Sequence, residues 1–106
     1  PQTVMNLGSI AKTAIGVTMM RLVDAGRLDL DADINDYLPF RVENPHQPTA
    51  RITLRHLATH TSSITDRRDF YAGLYQPLTA RRPSLDALLR AYLVVGGAEY
   101  RPENFL

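Results

Sequence analysis

The sequence contains no cysteine, and none of its apolar runs approaches the roughly 20 residues that a membrane-spanning helix needs. Without cysteine, the composition fits an oxidising and a reducing compartment equally well. The start of the chain, from Pro1 to Asn6, lacks the charged and apolar regions of a signal peptide. The sequence therefore predicts no membrane span and shows no targeting segment.

Net charge is also nearly absent. The 12 basic and 11 acidic residues leave a formal charge of +1, and this balance argues against nucleic acid as a partner. With 106 residues, of which 44% are hydrophobic and 22% charged, the chain has the composition of one globular domain or a piece of one.

The segment from Ser9 to Ala25 predicts a helix, because it has no proline and Gly26 follows where a left-handed cap is favoured. Wound at 3.6 residues per turn, this helix carries apolar side chains around almost its whole circumference. They are Ile10, Ala11, Ala14, Ile15, Val17, Met19, Met20, Leu22 and Val23. Such a helix is expected inside a larger body.

Two short helical segments are predicted next. Asp31 is expected to cap a turn through Ile34 and Tyr37, which Pro39 ends. Thr53 is expected to cap a helix over residues 54 to about 60, before a polar turn.

Ser84 is expected to cap the last helix, which Gly96-Gly97 stops. Its apolar stripe consists of Leu85, Leu88, Leu89, Tyr92 and Leu93. Residues 66–83 show no confident periodicity, strand signals are confined to short segments around 51–53 and 92–95, and the tail from residue 100 resembles a loop. The chain is predicted to be almost all helical.

Ser9 and Lys12 stand three positions apart at the start of the apolar helix, so their side chains are within reach of each other. A serine hydroxyl becomes a strong nucleophile when a base takes its proton, and burial among apolar groups favours the neutral amine that a lysine base needs. The helix start also directs backbone N–H groups toward Ser9, where an oxyanion would form. We therefore predict a nucleophile and base at this helix end.

The choice of lysine supports this interpretation. Lys12 is the only lysine, and the rest of the 12 Lys and Arg residues are arginines. Arginine stays protonated at any ordinary pH, whereas lysine can lose its proton when it is buried. The one lysine of the sequence is thus at the position where a base would have to lose its proton in order to activate Ser9.

Other patterns favour structural roles. His56 and His60 have a spacing that can bind zinc, but Leu57 occupies the place of the metalloprotease glutamate and no third ligand is evident. The acidic run Asp29, Asp31, Asp33 and Asp36 lacks the glycine and glutamate of a calcium loop, so capping and solvation are expected. We predict no metal and no cofactor.

Four segments, in this order, extend the pattern around the serine and lysine. They are Gly8-Ser9-Ile10-Ala11-Lys12-Thr13, Arg21-Leu22-Val23-Asp24-Ala25-Gly26-Arg27-Leu28-Asp29-Leu30-Asp31, Tyr37-Leu38-Pro39 and Ile52-Thr53-Leu54-Arg55-His56-Leu57-Ala58-Thr59-His60-Thr61-Ser62. Over roughly residues 5 to 65 the sequence resembles the serine β-lactamase and penicillin-binding-protein family, in the branch of class C β-lactamases, D-alanyl-D-alanine carboxypeptidases and related esterases.

The resemblance implies acyl transfer through an acyl-serine intermediate, with Ser9 as nucleophile and Lys12 as its base. The implied substrate is a β-lactam, a D-Ala-D-Ala peptide or a small ester, and the implied location is periplasmic or secreted. The implied fold is α+β, of which this chain would form a mostly helical part with little or no sheet. Residues 5–65 would hold the nucleophile helix and the following helical segment, and residues 66–106 a further helical subdomain of the same incomplete domain.

The sequence departs from the family pattern at three places. Ser63 stands where the family's His-Thr-Ser-Gly turn has glycine, and neither Tyr-x-Asn nor Lys-Thr-Gly or His-x-Gly occurs. We expect the missing motifs beyond Leu106, so that the partner of this chain is the remainder of its own domain and residues 1–106 alone are inactive. The alternatives are a non-catalytic binding or regulatory relative, and an independent helical interaction protein.

Overall fold

The computed structural model describes residues 5–65, 67–73, 83–94 and 99–102. These residues form four α-helices, two short strands and two 3₁₀ turns. The helices are α1 (Ala11–Asp24), α2 (Leu54–Ala58), α3 (Arg68–Ala72) and α4 (Leu85–Leu93); the strands are β1 (Ile64–Thr65) and β2 (Glu99–Tyr100); and the 3₁₀ turns are Gly8–Ile10 and Ile34–Asp36. None of the helices in these ranges is both long and apolar enough to cross a membrane.

Helix α1 ends as the sequence predicts. Gly26 is left-handed, with φ of 67°. Its N–H donates to Val23 O at 2.9 Å, and the Arg27 N–H donates to Leu22 O at 2.9 Å. These two bonds satisfy carbonyls that the helix leaves unpaired at its C-terminus. At the other end, Ser9 belongs to the 3₁₀ turn and not to the α-helix that we predicted.

The cap of the second 3₁₀ turn corrects a prediction. Asp33, and not Asp31, is the capping residue, and its side chain accepts from the Asn35 N–H. Asp31 instead binds the Arg55 guanidinium through two hydrogen bonds of 2.6 and 2.8 Å. Asp33 directly precedes the turn, whereas Asp31 stands three positions before Ile34 and pairs with a residue 24 positions away.

Helix α2 has the predicted threonine cap. The Thr53 hydroxyl accepts from the His56 N–H at 3.2 Å, and His56 Nδ1 accepts from the Thr53 N–H at 3.2 Å. This reciprocal pair satisfies two donors at the helix start. The helix ends at Ala58, earlier than predicted, because the chain turns left-handed at His60, where φ is 59°.

The core is small and lies between the 3₁₀ turn at residues 34–36, the loop after it and the start of α2. Among the described residues, the buried apolar side chains are Ile34, Val42 and Ile52. Leu38, Phe40, Leu54, Ile64, Leu93 and Tyr100 pack against them. Both halves of the chain thus contribute to one cluster.

Two asparagine side chains fasten the loop after Pro39 to its surroundings. Asn35 pairs with the Val42 backbone, accepting from its N–H at 2.7 Å and donating to its carbonyl at 2.9 Å. Asn44, which is buried, donates to Ser63 Oγ at 3.0 Å and to Arg101 O at 2.8 Å. These amide side chains give backbone groups the hydrogen-bond partners that a neighbouring strand would otherwise provide.

The strands lie where the sequence gave little signal. β1 and β2 pair antiparallel, with Ile64 opposite Tyr100. The predicted strand candidates are wrong: residues 51–53 provide a single bridge, from Thr53 to Asp33, and residues 92–94 belong to the end of α4. The predicted loop character of the tail is wrong at Tyr100, which is in β2.

Helix α4 begins at its predicted cap, since Ser84 Oγ accepts from the Ala87 N–H at 3.2 Å. Its half-buried residues are Leu88, Leu89, Tyr92 and Leu93, whereas Leu85, predicted on the same stripe, is 70% exposed. The predicted stop at Gly96-Gly97 lies outside the described residues. Helix α3 falls in a stretch where no periodicity was found.

The turn after α2 is left-handed at Ser63, with φ of 65°. This conformation favours glycine, the residue that the family pattern has here, because a Cβ crowds the following carbonyl. The hydrogen bond from Asn44 to Ser63 Oγ and the bond from the Arg101 N–H to Ser63 O hold the turn in place. Serine is therefore accommodated by partners that glycine would not need.

Helix α1 and its N-cap residue are poorly covered by the rest of the described structure. Ile10, Ile15 and Val17 are 71%, 66% and 57% exposed. The Cα radius of gyration is 15.7 Å, above the roughly 13 Å of a compact domain of about this length. The predicted apolar helix is present, but the described residues do not bury it.

We expect residues 1–106, prepared alone, to unfold without a sharp transition and to bind the dye ANS. The reason is that so few apolar side chains are buried while α1 exposes apolar surface. Circular dichroism during heating, with ANS fluorescence, measures both properties. A sharp, cooperative transition without ANS binding would contradict this expectation.

A second prediction concerns Ser63 and Asn44. Ser63→Gly removes strain of roughly 1–2 kcal/mol but also a hydrogen bond of about 1 kcal/mol, so the free energy of unfolding should change little. In an Asn44→Ala background that bond is already absent, and the same substitution should stabilise by roughly 1–2 kcal/mol. Denaturant unfolding of the natural gene product, of Ser63→Gly, of Asn44→Ala and of the double variant measures the coupling free energy between the two residues. If Ser63→Gly had the same effect in both backgrounds, the hydrogen bond from Asn44 would not compensate for the strain at Ser63.

A third prediction concerns pH. The hydrogen bonds from Arg55 lower the pKa of Asp31 below its usual value, against a smaller opposing effect of desolvation. The pair should therefore stabilise the fold above the usual carboxyl pKa of about 3.9 and lose this effect as the pH falls through the lowered pKa of Asp31. Carbon-13 NMR of labelled aspartates should show Asp31 titrating below that value, and Arg55→Gln should move the midpoint back up. An unmoved midpoint would count against the pair.

Candidate functional site

The structure places the predicted nucleophile and base side by side. Lys12 Nζ lies 3.0 Å from Ser9 Oγ, within hydrogen-bond distance. In its charged form the lysine donates along this line, and in its neutral form the amine can accept the hydroxyl proton along the same line. The arrangement can therefore carry a proton from Ser9 to Lys12.

Two different helical geometries meet at this pair. Ser9 is in the 3₁₀ turn Gly8–Ile10, and Lys12 is in the first turn of α1. Side chains three positions apart eclipse each other in a 3₁₀ helix, whereas in an α-helix they are offset. The tighter turn therefore brings the serine into line with the lysine.

The turn itself is held by local bonds. The Gly8 N–H donates to Asn6 Oδ1 at 2.8 Å, and the Ile10 N–H donates to Leu7 O at 3.2 Å. Gly8 has φ of 51°, a left-handed value that explains glycine at this position. Sequence reasoning missed Asn6; its signal is an asparagine two residues before a glycine at a helix start.

The electrostatics at the helix start suit a developing anion. Among the residues that the structure describes, none accepts a hydrogen bond from the Ser9 N–H. The first turn of α1 also contains no acidic side chain. An unpaired N–H beside the nucleophile, at the positive end of a helix, can stabilise an oxyanion.

The predicted burial of Lys12 is not present in the described part of the chain. Ser9 and Lys12 are both exposed. Burial favours the neutral amine. The described residues thus form the contact between Lys12 and Ser9 but do not surround Lys12 with apolar side chains.

An apolar groove runs along another side of α1. Its volume is about 460 Å³. It is lined by Ala14, Ile15, Thr18, Met19, Leu22, Leu28 and Leu54. Leu28 and Leu54 are the lining residues that come from outside the helix.

A larger groove, of about 900 Å³, lies between α2, β1 and α4. His60, Thr61 and Ser62 are among the residues that line it. Within the described residues, no hydrogen bond joins His60 to Ser62 or Ser63. Ser62 and Ser63 therefore have no bond to His60 comparable with the one between Lys12 Nζ and Ser9 Oγ.

The histidines and aspartates examined for metal binding have other contacts. His56 is part of the α2 cap, Asp33 caps the 3₁₀ turn, and Asp31 binds Arg55. In the described ranges, no group of three or more His, Cys, Asp or Glu residues could hold a metal ion. The potential metal ligands that the sequence suggested are thus dispersed among structural roles.

Comparisons with known proteins identify related sequences. The family model described as Beta-lactamase matches residues 1–97. The serine beta-lactamase-like protein LACTB, mitochondrial, of Homo sapiens is 37% identical over 65 residues, which are 60% of this chain and 12% of that protein.

Two bacterial proteins match over nearly the same length. Esterase EstB of Burkholderia gladioli is 36% identical over 63 residues, and Penicillin-binding protein 4 of Amycolatopsis lactamdurans is 37% identical over 62 residues. Each match covers 58% of this chain and 16% of the relative. The aligned part of the chain therefore spans less than a fifth of the length of the curated relatives.

No solved structure gives a significant match. The family model, in contrast, covers the serine-lysine helix and most of the residues after it. With that coverage, the chain belongs to the beta-lactamase family.

Proposed function

We propose that Ser9 is the nucleophile and Lys12 the general base of a serine hydrolase that acts through an acyl-serine intermediate. The observation that carries this proposal is the distance of 3.0 Å between Lys12 Nζ and Ser9 Oγ. General bases act over about 2.6–3.2 Å, so the pair already has the geometry for proton transfer.

The proposed reaction has two steps. Neutral Lys12 takes the Ser9 hydroxyl proton while Oγ attacks the substrate carbonyl carbon, and the carbonyl electrons move to the oxygen. The tetrahedral intermediate collapses to the acyl-serine ester when its bond to the leaving group breaks and the leaving group takes the proton from Lys12. Water then gives a proton to Lys12 as its oxygen attacks the ester carbonyl, and Ser9 Oγ leaves and takes that proton back as the acid product forms.

The unpaired Ser9 N–H supports the first step. A backbone donor next to the nucleophile is positioned to bind the oxyanion without reorganisation. The Gly8 N–H is already bonded to Asn6 Oδ1, so the Ser9 N–H is the donor left available in this turn.

The substrate is proposed to be a β-lactam, a D-Ala-D-Ala peptide or a small ester. The names of the relatives support this range, since one is an esterase and another a penicillin-binding protein. These chemistries share an acyl carbon that Ser9 could attack, and the described residues favour none of them over the others.

We also propose that residues 1–106 form one incomplete domain, with the nucleophile helix and its following segment in residues 5–65 and a helical subdomain in residues 66–106. The exposed apolar surface of α1 supports the need for further cover. The pairing of β1 with β2, and the bond from Asn44 to Arg101 O, support treating both parts as one domain. On this proposal residues 1–106 alone are inactive.

The proposed roles are tested by labelling the natural gene product with a fluorophosphonate and with a tagged penicillin. Ser9→Ala should abolish labelling, because the attacking oxygen is gone. Lys12→Arg should reduce the rate of labelling about 10²–10⁴-fold, because arginine keeps the charge but cannot accept a proton.

Ser84→Ala is the matched control, since it removes a serine hydroxyl that caps α4 and should leave labelling unchanged. Undiminished labelling of Ser9→Ala would refute the nucleophile. Normal labelling of Lys12→Arg would refute lysine as the base. A wild-type protein that neither probe labels would favour the non-catalytic relative.

A further inference from the structure

We infer that Asn6 is a positioning residue for the nucleophile, an inference that rests on the proposed function of Ser9 and Lys12. Asn6 does not contact either side chain directly. It bonds to the Gly8 backbone, one residue before Ser9, and so acts on the turn from which the nucleophile projects. We call residues 6–10 the lead-in turn.

The bond from Asn6 is well placed to fix the lead-in turn. Its Oδ1 accepts from the Gly8 N–H at 2.8 Å, two residues along the chain. When an asparagine side chain accepts from the backbone N–H two residues later, it closes a tight turn in place of a backbone carbonyl. Gly8, with φ of 51°, follows in the left-handed conformation that this closure requires of the chain.

Little else in the described structure holds this segment. Met5 and Leu7 are 77% and 61% exposed, so side-chain packing by the described residues does not fix the turn. The other bond across it is the one from the Ile10 N–H to Leu7 O, at 3.2 Å. The Asn6 amide is thus the one side chain among the described residues that ties the turn together.

The position of Ser9 follows from the turn. If the lead-in turn opened, Ser9 would leave the 3₁₀ geometry in which it eclipses Lys12, and the distance of 3.0 Å between Oγ and Nζ would lengthen. Displacement of a reacting group by about 1 Å can cost 10²-fold in rate. Loss of a hydrogen bond remote from the substrate would therefore appear in the chemical step.

Asn6 also affects the second group at this end of the helix. The Gly8 N–H is bonded to Asn6 Oδ1, and no described residue accepts from the next N–H along the chain, that of Ser9. An opened turn would let that donor move away from the place where the oxyanion forms. Asn6 therefore positions both the Ser9 hydroxyl and the Ser9 N–H.

The test uses the natural gene product and compares a side chain at position 6 that can accept a hydrogen bond with one that cannot. Asn6→Leu keeps the approximate shape of the side chain and removes the acceptor, whereas Asn6→Ser keeps an oxygen that can close the same turn more weakly. The readout is the rate of fluorophosphonate labelling over a range of probe concentrations, which separates the maximal rate from the half-saturating concentration.

Asn6→Leu should lower the maximal labelling rate at least 10-fold and leave the half-saturating concentration nearly unchanged, because the bond orients the nucleophile and does not bind the probe. Asn6→Ser should recover a substantial part of that rate. Ser84→Ala is again the control: it deletes a bond of the same kind, from a side-chain oxygen to a backbone N–H, at the start of α4. Its labelling rate should equal that of the wild type.

Labelling of Asn6→Leu at the wild-type rate would overturn the inference while leaving the proposed function intact. So would an Asn6→Ser variant as slow as Asn6→Leu, or a change confined to the half-saturating concentration. An Asn6→Leu variant that loses its circular dichroism spectrum would give Asn6 a general structural role and would also overturn it. A wild-type protein without labelling at Ser9 would refute the proposed function first.

Discussion

The contact between Lys12 and Ser9 depends on where the 3₁₀ turn gives way to the α-helix. Ser9 occupies the tighter geometry and Lys12 the wider one, and their side chains meet at 3.0 Å across the junction. A left-handed Gly8 and the Asn6 amide define the start of this junction. The contact between Ser9 and Lys12 therefore depends on the backbone conformation at the start of α1 as well as on the two residue types.

The remainder of the described structure is built from local caps and a few long-range polar bonds more than from a large core. Ile34, Val42 and Ile52 form the buried centre. Asn44 links the loop around it to Ser63 and to Arg101. Leu28 and Leu54 line the apolar groove beside helix α1. A cover over the exposed apolar surface of this helix would supply the desolvation that the proposed role of Lys12 needs.

The sequence allowed accurate prediction of features that depend on neighbouring residues. The end of α1 at its Gly26 cap and the caps at Thr53 and Ser84 all follow from signals within one or two turns of chain. The spacing of Ser9 and Lys12 likewise predicted their contact. Membership of the beta-lactamase family was recognisable because several such segments occur in a fixed order.

Features set by distant partners could not be predicted in this way. Asp31 pairs with Arg55, 24 positions away, and β1 and β2 are two residues each, too short for periodicity to be detected. Ser63 adopts a conformation that its residue type disfavours because Asn44 supplies a hydrogen bond from elsewhere in the fold. The cover over Lys12 depends on contacts that the described residues do not provide.

The most direct test of the central claim is to identify the atom that is acylated. The natural gene product is incubated with a fluorophosphonate, digested and mapped by tandem mass spectrometry. The account predicts one adduct per chain, on the peptide that contains Ser9 and at its hydroxyl. An adduct on another serine, such as Ser62 in the larger groove, or no adduct at all, would contradict it.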